Sequence, residues 1–305
     1  MNKSTINNRK SVLILIGTLF VLLVLVLVIR SALRSGDRSD DISFFLKNGH
    51  GSYNLVELSM PKGEGPHPVV LMAHGFAGTL HSGGAVELGD RLAEKGILAV
   101  RVDFDPYTAP EKTAEQTHSY PLSQMNADAV NALDTVIKDY GGDPDNVSLY
   151  GRSYGGRLVM QMANESSGGY DYKKLALVAP AGDAVAFHRY LGGDKMYKAM
   201  KKEAEGDAGY AEKLGIRIEP KWFEDVESYD PTEYGWKFGE KPVLLFYNTL
   251  DTVVYPDTSI RCAEAYKNHE IVKVTTEDGH GYEMGYRESK LKDRIMDRLA
   301  DFFAE

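Results

Sequence analysis

The sequence predicts an α/β fold, with a mostly parallel central sheet and helices on both of its faces. Three observations carry that expectation. Short apolar runs of strand length alternate with longer segments whose apolar residues recur at helical spacing. A strand-like run turns sharply into a helix-like one across Gly151-Arg152-Ser153-Tyr154-Gly155-Gly156. One stretch alone, between Pro180 and Pro242, breaks the alternation. Strands that alternate with helices are the pattern of crossover units, which build parallel sheets.

The elements follow in order. Residues 52–60 alternate into Leu55, Val56 and Leu58, an early strand, and Pro61 to Pro68 reads as a turn-rich hairpin. Pro68 to Ala73 is a buried strand that ends in His74-Gly75-Phe76-Ala77-Gly78. Gly84 to Lys95 is a helix with Leu88 and Leu92 on one face, stopped by Gly96. Ile97 to Val102 is the next strand, followed by a polar loop from Asp103 to Tyr120. Leu122 to Tyr140 places Met125, Ala129, Leu133, Val136 and Ile137 at helical spacing. Asn146 to Tyr150 is the strand before the sharp turn, and Arg157 to Ala163 the helix after it. Lys174 to Ala179, Pro242 to Tyr247 and Ile271 to Thr276 are further strands, and a terminal helix carries Leu291, Ile295, Leu299 and Phe302. The interruption, about 181–240, is too long for an ordinary loop and rich in aromatics, including Phe187, Tyr190, Trp222 and Trp236. It is expected to form a small helical cap.

The N-terminal portion has a different character. After a short tail, 1–11, the run Val12 to Ile29 is uncharged and dominated by Val, Leu and Ile. As a helix it would be about 27 Å long, close to the hydrocarbon thickness of a bilayer. It ends without small residues that would mark cleavage. The expectation is a single transmembrane anchor over 12–29, a polar tether over 30–41 reaching about 40 Å at most, and one domain over 42–305. Basic residues flank the run on both sides, Lys3, Arg9 and Lys10 before it and Arg30, Arg34 and Arg38 after it. The positive-inside rule is therefore nearly balanced, and an export signal that is retained places the domain on the extracytoplasmic side of the cell membrane. Residues 1–34 hold five basic and no acidic side chains, so of the formal net charge of −9 the remaining chain carries −14. Such a charge excludes nucleic acid as a partner. The lone cysteine, Cys262, excludes an intrachain disulfide and reads as an apolar filler on a helix.

Chemistry concentrates at strand ends. In a G-x-S-x-G turn between strand and helix, the serine hydroxyl stands out of the sheet and side chains at the flanking glycines would clash. A serine needs a base to take its proton, and sites built on this turn supply an acid and then a histidine later in the chain. After Ser153, Asp251 follows the strand 242–247 and His280 follows the strand 271–276. The edge beyond the strand ends is where sites assemble in open α/β sheets. His269 stands before a strand rather than after one. Asp257 looks placed to start a helix, and Asp278 is only two residues from His280. The catalytic candidates are therefore Ser153, Asp251 and His280, and the backbone N–H groups of Phe76 and Tyr154 are placed to form an oxyanion hole. His74 reads as a residue that structures its loop. There is no HExxH, no CxxC and no paired-histidine spacing for a metal, and no glycine-rich nucleotide loop, so neither metal nor cofactor is expected.

These residues resemble those of α/β-hydrolase fold serine esterases, most of all the bacterial cinnamoyl (feruloyl) esterases and monoacylglycerol-lipase-like hydrolases. The resemblance runs from about residue 50 to 305. It is carried by His74-Gly75-Phe76-Ala77-Gly78, the turn at Ser153, Leu177-Val178-Ala179-Pro180-Ala181, Asp251-Thr252-Val253-Val254 and Gly279-His280. It implies the α/β-hydrolase fold, the same catalytic residues, a small ester substrate and an acyl pocket shaped by the insertion. Arg152 departs from the family, which usually has histidine there. Ser-Tyr-Gly-Gly is the form of the turn common in prolyl-oligopeptidase-type peptidases, and a peptidase or a non-catalytic binding protein on this fold remain alternatives.

Overall fold

The computed structural model describes residues 41–107, 118–213, 215–284 and 289–305. The expected tail, the transmembrane run 12–29 and the tether up to residue 40 lie outside them. Among the described residues no helix is long and apolar enough to cross a membrane.

Eight strands form one sheet in the order β1 (Asp41–Lys47), β2 (Tyr53–Ser59), β4 (Leu98–Tyr107), β3 (His67–Ala73), β6 (Gly142–Arg152), β7 (Leu175–Val178), β10 (Val243–Asn248), β11 (His269–Val274). The pairs β1–β2 and β2–β4 are antiparallel, and every pair from β4 to β11 is parallel. Helices that pack on the sheet include α1 (Ala85–Glu94), α2 (Leu122–Asp139), α3 (Tyr154–Glu165) and, near the C-terminus, α8 (Ser289–Ala304). Side chains of a strand point alternately to its two faces. In β3, Leu71 joins a core with Leu133 of α2 and Leu158 of α3, whereas Val70 and Met72 join a second core with Leu88 of α1 and Leu299 of α8. Burial on both faces explains why the parallel strands read as continuous apolar runs.

One expectation is corrected here. Residues 61–68 do not close a hairpin, because β4 lies between β2 and β3 and pairs with both. The sequence reading also missed an edge strand, β1, at the start of the expected domain, whose residues alternate between exposed and half-buried against β2. Half-burial on one face leaves only a weak apolar signal, in Ile42, Phe44 and Leu46.

The interruption folds into α4 (Ala184–Leu191), α5 (Asp194–Ala204) and α6 (Pro220–Ser228). It also contains two short strands, β8 (Ala211–Lys213) and β9 (Ile216–Ile218), which the sequence reading did not anticipate. β9 pairs in parallel with β5 (His118–Ser119), in the segment read as a polar loop. The last helix to be introduced, α7 (Pro256–Glu264), follows β10.

Candidate active site

The loops that matter leave the C-terminal ends of β3, β6, β10 and β11. All four strands run in parallel, so their C-terminal ends share one edge of the sheet. The strand order also reverses between β3 and β6: the connection from β3 leads to β4 on one side, and that from β4 leads to β6 on the other. A crevice opens outside the strands at such a point.

Ser153 occupies the turn between β6 and α3 with φ 52° and ψ −119°, a backbone state costly for any residue with a side chain. Its neighbours impose this state. The Ser153 N–H donates to Val178 O at 3.0 Å, and its carbonyl accepts from Gly156 N at 3.0 Å and Ala181 N at 2.9 Å. Glycine is required around it. A Cβ on Gly155 would overlap the carbonyls of Ala73 and His74, and one on Gly156 would lie 2.7 Å from Pro180 Cβ. The elbow thus fits against the end of β3 only without side chains at these positions.

Asp251 is 3% exposed and sits in a tight turn after β10. Its Oδ1 accepts from Val253 N at 2.8 Å and Val254 N at 3.0 Å. Its Oδ2 lies 2.7 Å from His280 Nδ1. An ionised carboxylate only accepts, so Nδ1 carries the proton and the neutral ring leaves Nε2 as an acceptor. His280 stands in the turn Gly279–Met284 after β11. Ser153, His280, Phe76 and Tyr154 line one cavity of about 320 Å³, walled by Ala181, Ala186, Phe187 and Tyr190 of the insertion and by Val253 and Val254. Tyr154 is the first residue of α3, and N–H groups in the first turn of a helix have no intrahelical acceptor.

The aromatic residues of the insertion pack on the side chains of Phe76 and Tyr154. Phe76 meets Tyr190 at 5.6 Å and Trp222 at 6.2 Å between ring centroids, and Tyr154 meets Phe187 at 5.5 Å. The Tyr154 hydroxyl donates to Tyr120 O at 3.3 Å, and burial pushes its pKa far above the usual tyrosine range. Here the tyrosine serves as a wall.

The rival residues are engaged elsewhere. His269 Nδ1 is 2.7 Å from Tyr266 O at the start of β11. Asp257 lies in the first turn of α7 and pairs with Arg189 at 2.8 Å and Arg261 at 3.0 Å, which together hold its carboxyl down at about 2. His74 accepts from Phe104 N at Nε2, 3.2 Å, so its Nδ1 donates to Gly75 O at 2.8 Å. It structures its loop, as expected. Cys262 is fully buried in α7, and burial raises its thiol far above the ordinary range.

Several residues that hold the site escaped the sequence reading. Asn248, fully buried, donates from Nδ2 to Thr276 O at 2.8 Å and Gly279 O at 2.9 Å, and accepts from Thr276 N at 3.1 Å. It fastens the turn of His280 to the strand that carries Asp251. Arg152 forms an ion pair with the fully buried Glu283. Asn248 ends a strand and Glu283 follows a histidine, and no local pattern marks either as a partner.

The chain is similar to several known proteins. Residues 64–208 match the family model described as serine aminopeptidase, S33. A probable isoprenylcysteine alpha-carbonyl methylesterase of Oryza sativa subsp. japonica is 32% identical over 125 residues, 38% of this chain and 28% of that protein. The chain spans about a quarter of the length of the curated relatives it matches. Est1E of Butyrivibrio proteoclasticus, solved with ferulic acid bound, superposes with a TM-score of 0.66 at 20% identity, covering 86% of this chain and all (100%) of that one. Acylaminoacyl peptidase of Pyrococcus horikoshii superposes with a TM-score of 0.66 at 16% identity, covering 89% of this chain and 42% of that one. These likenesses establish the α/β-hydrolase fold. The chain thus has the α/β-hydrolase fold and, over residues 64–208, is similar to serine hydrolases.

Proposed function

We propose that this protein hydrolyses carboxylic esters through an acyl-enzyme on Ser153. His280 Nε2 takes the Ser153 proton as the hydroxyl attacks the carbonyl, then delivers it to the leaving alcohol. Asp251 holds the imidazole in the required tautomer and stabilises the imidazolium. The amides of Phe76 and Tyr154 receive the oxyanion, each contributing on the order of 3 kcal/mol to lowering the barrier. Water, activated by the same histidine, releases the acid. The observation that carries this reading is the 2.7 Å bond from His280 Nδ1 to Asp251 Oδ2, at the wall of the cavity that holds the strained Ser153.

The cavity favours an apolar acyl group. Its walls include Phe76, Tyr154, Phe187, Tyr190, Val253 and Val254; Arg152 also lines it, and among the described residues that do so no side chain is acidic. An aminopeptidase needs a negative group for the substrate ammonium, so the peptidase reading, which the family description raises, is the weaker one. The test is labelling by a fluorophosphonate probe, with Ser153→Ala and His280→Ala beside the unaltered protein. p-Nitrophenyl esters of rising chain length, methyl ferulate, an S-prenylcysteine methyl ester and aminoacyl p-nitroanilides then define the substrate. Loss of labelling in both variants with turnover of esters alone is expected. A folded, unaltered protein that takes no label would overturn the assignment.

The uncharged run 12–29 supports a membrane anchor, with the domain on the extracytoplasmic side and a small-molecule ester as its substrate. Resistance of the protein to alkaline carbonate extraction, and cleavage of the domain by protease added to intact cells, are the expected results.

A further inference from the structure

Arg152 is the residue before the nucleophile candidate, and its guanidinium runs to the turn that carries His280. Its Nε donates to Glu283 Oε1, and its Nη2 donates to the carbonyl of His280 at 2.9 Å. Glu283 is fully buried and Arg152 is 17% exposed at its side chain. The path of the guanidinium is kept clear by glycines. A Cβ on Gly83 would lie 2.7 Å from Arg152 Cδ, and one on Gly75 would lie 3.2 Å from Arg152 Nη1 and 3.0 Å from Ser153 Cβ. One side chain therefore touches the elbow, the loop after β3 and the turn of His280.

The turn of His280 has two kinds of anchor. Asn248 to Gly279 O, at 2.9 Å, and the Tyr282 hydroxyl to Phe246 O, at 2.8 Å, tie it to β10. These fix His280 relative to Asp251, which leaves the end of the same strand. Among the described residues, the Arg152–Glu283 pair is the anchor that ties the turn to the elbow. A buried ion pair contributes little net stability, because the desolvation of both charges offsets their attraction. What it supplies is geometry: a rigid planar fork that holds two acceptors at once, which a lysine ammonium lacks.

We propose that Arg152 and Glu283 are a positioning pair that sets His280 against Ser153, separately from the contact that sets His280 against Asp251. The proposal rests on the hydrolytic reading above. Displacement of a reacting group by about 1 Å costs roughly 100-fold in rate, so the effect falls on kcat and not on substrate affinity.

The experiment compares Arg152→Lys and the double variant Arg152→Met/Glu283→Leu with the unaltered full-length protein. It measures kcat and KM on a p-nitrophenyl ester, the rate of fluorophosphonate labelling, the melting temperature and the downfield proton resonance of His280 Nδ1–H. The expected result is a fall in kcat of about 30- to 100-fold, matched by the labelling rate. KM should stay within about 2-fold, the melting temperature should be nearly unchanged, and the downfield resonance should persist. Arg152→Lys retains a positive charge beside Glu283, so it serves if the apolar pair does not fold. Unchanged kcat and labelling in either folded variant overturns the proposal. So does a loss that tracks melting temperature alone, or one that appears in KM. Ser153→Ala in the same series separates the two claims: if it still turns over ester, the nucleophile assignment has failed rather than the positioning of His280.

Discussion

At the scale of single residues, the site is built from local states that cost free energy and are held by neighbours. Ser153 at φ 52° is the clearest case. Its strain is on the order of 1–3 kcal/mol, and it belongs to any residue with a Cβ. Ser153→Gly should therefore melt above Ser153→Ala by about 2–4 °C, although both lose turnover. Equal melting temperatures in a thermal scan would show that the surroundings relax. Asp251→Asn keeps an oxygen for the amides of Val253 and Val254 but places an amide donor against Nδ1, which selects the wrong tautomer. The expected outcome is a fall in kcat of about 1,000-fold or more with little change in KM, read by steady-state kinetics. Asp128, on α2, is 2% exposed, and burial pushes its carboxyl up to about 6, with a hydrogen bond to Asn54 working against that shift. The folded state thus holds this proton more tightly than the unfolded chain. The contribution of Asp128 is most favourable below about pH 4, falls as pH rises through 6, and is constant above that. Asp128→Asn should stabilise the protein by up to about 2 kcal/mol at pH 8 and by much less at pH 4, which denaturant melts at the two pH values would check.

At the scale of elements, a buried cation of the elbow helix ties together three points of the insertion. Arg157 of α3 is fully buried and donates to the carbonyls of Gly182, Tyr229 and, at 3.0 Å, Val226. Its guanidinium also lies 5.3 Å from the Phe187 ring. Burial pulls its pKa below the usual arginine range, and the carbonyls offset the cost of a charge in an apolar setting. The end of the insertion that begins at Asp183 has a second tie, from Arg261 Nε of α7 at 2.9 Å. Arg157→Met keeps the volume and removes three carbonyl partners, leaving those oxygens unpaired. Limited proteolysis of that variant should cut within residues 183–230 before the sheet unfolds, and KM should rise more than kcat falls. Simultaneous loss of all bands would instead show that insertion and sheet unfold as one unit. Trp222, 1% exposed and packed on Phe76, Tyr154 and Phe187, fills the space behind the cavity wall. Trp222→Ala should cost about 3–5 kcal/mol and shift the preferred p-nitrophenyl ester to a longer chain.

At the scale of the whole molecule, two levels of organisation meet. The sheet begins at Asp41, the last residue of the segment read as a tether. With the proposed anchor over 12–29, removal of residues 1–39 should leave kcat/KM on a soluble ester unchanged and move the protein from the membrane pellet to the supernatant on fractionation. Removal of residues 1–47 also strips β1 from β2, uncovers the buried Leu58 and Val56 that pair with Ile42 and Phe44, and should lower the melting temperature.

How much of this was legible beforehand divides along the range of the interactions. The sequence by itself determined the strands of the main sheet from β2 onward, the helices α1, α2, α3 and α8, the elbow at Ser153, and the order in which Asp251 and His280 follow it. Each of these has a local signature: an apolar period, a glycine that a tight turn requires, or a polar residue just past a strand. The tertiary structure alone decided that β4 lies between β2 and β3, that β9 pairs with His118–Ser119, and that Arg152, Glu283 and Asn248 hold the histidine in place. Those contacts join segments far apart in the chain, such as Arg152 and Glu283 at a separation of 131 residues. A period in the sequence records which face of an element is buried. It carries no record of which distant element buries it, because that choice is made by the packing of the whole sheet.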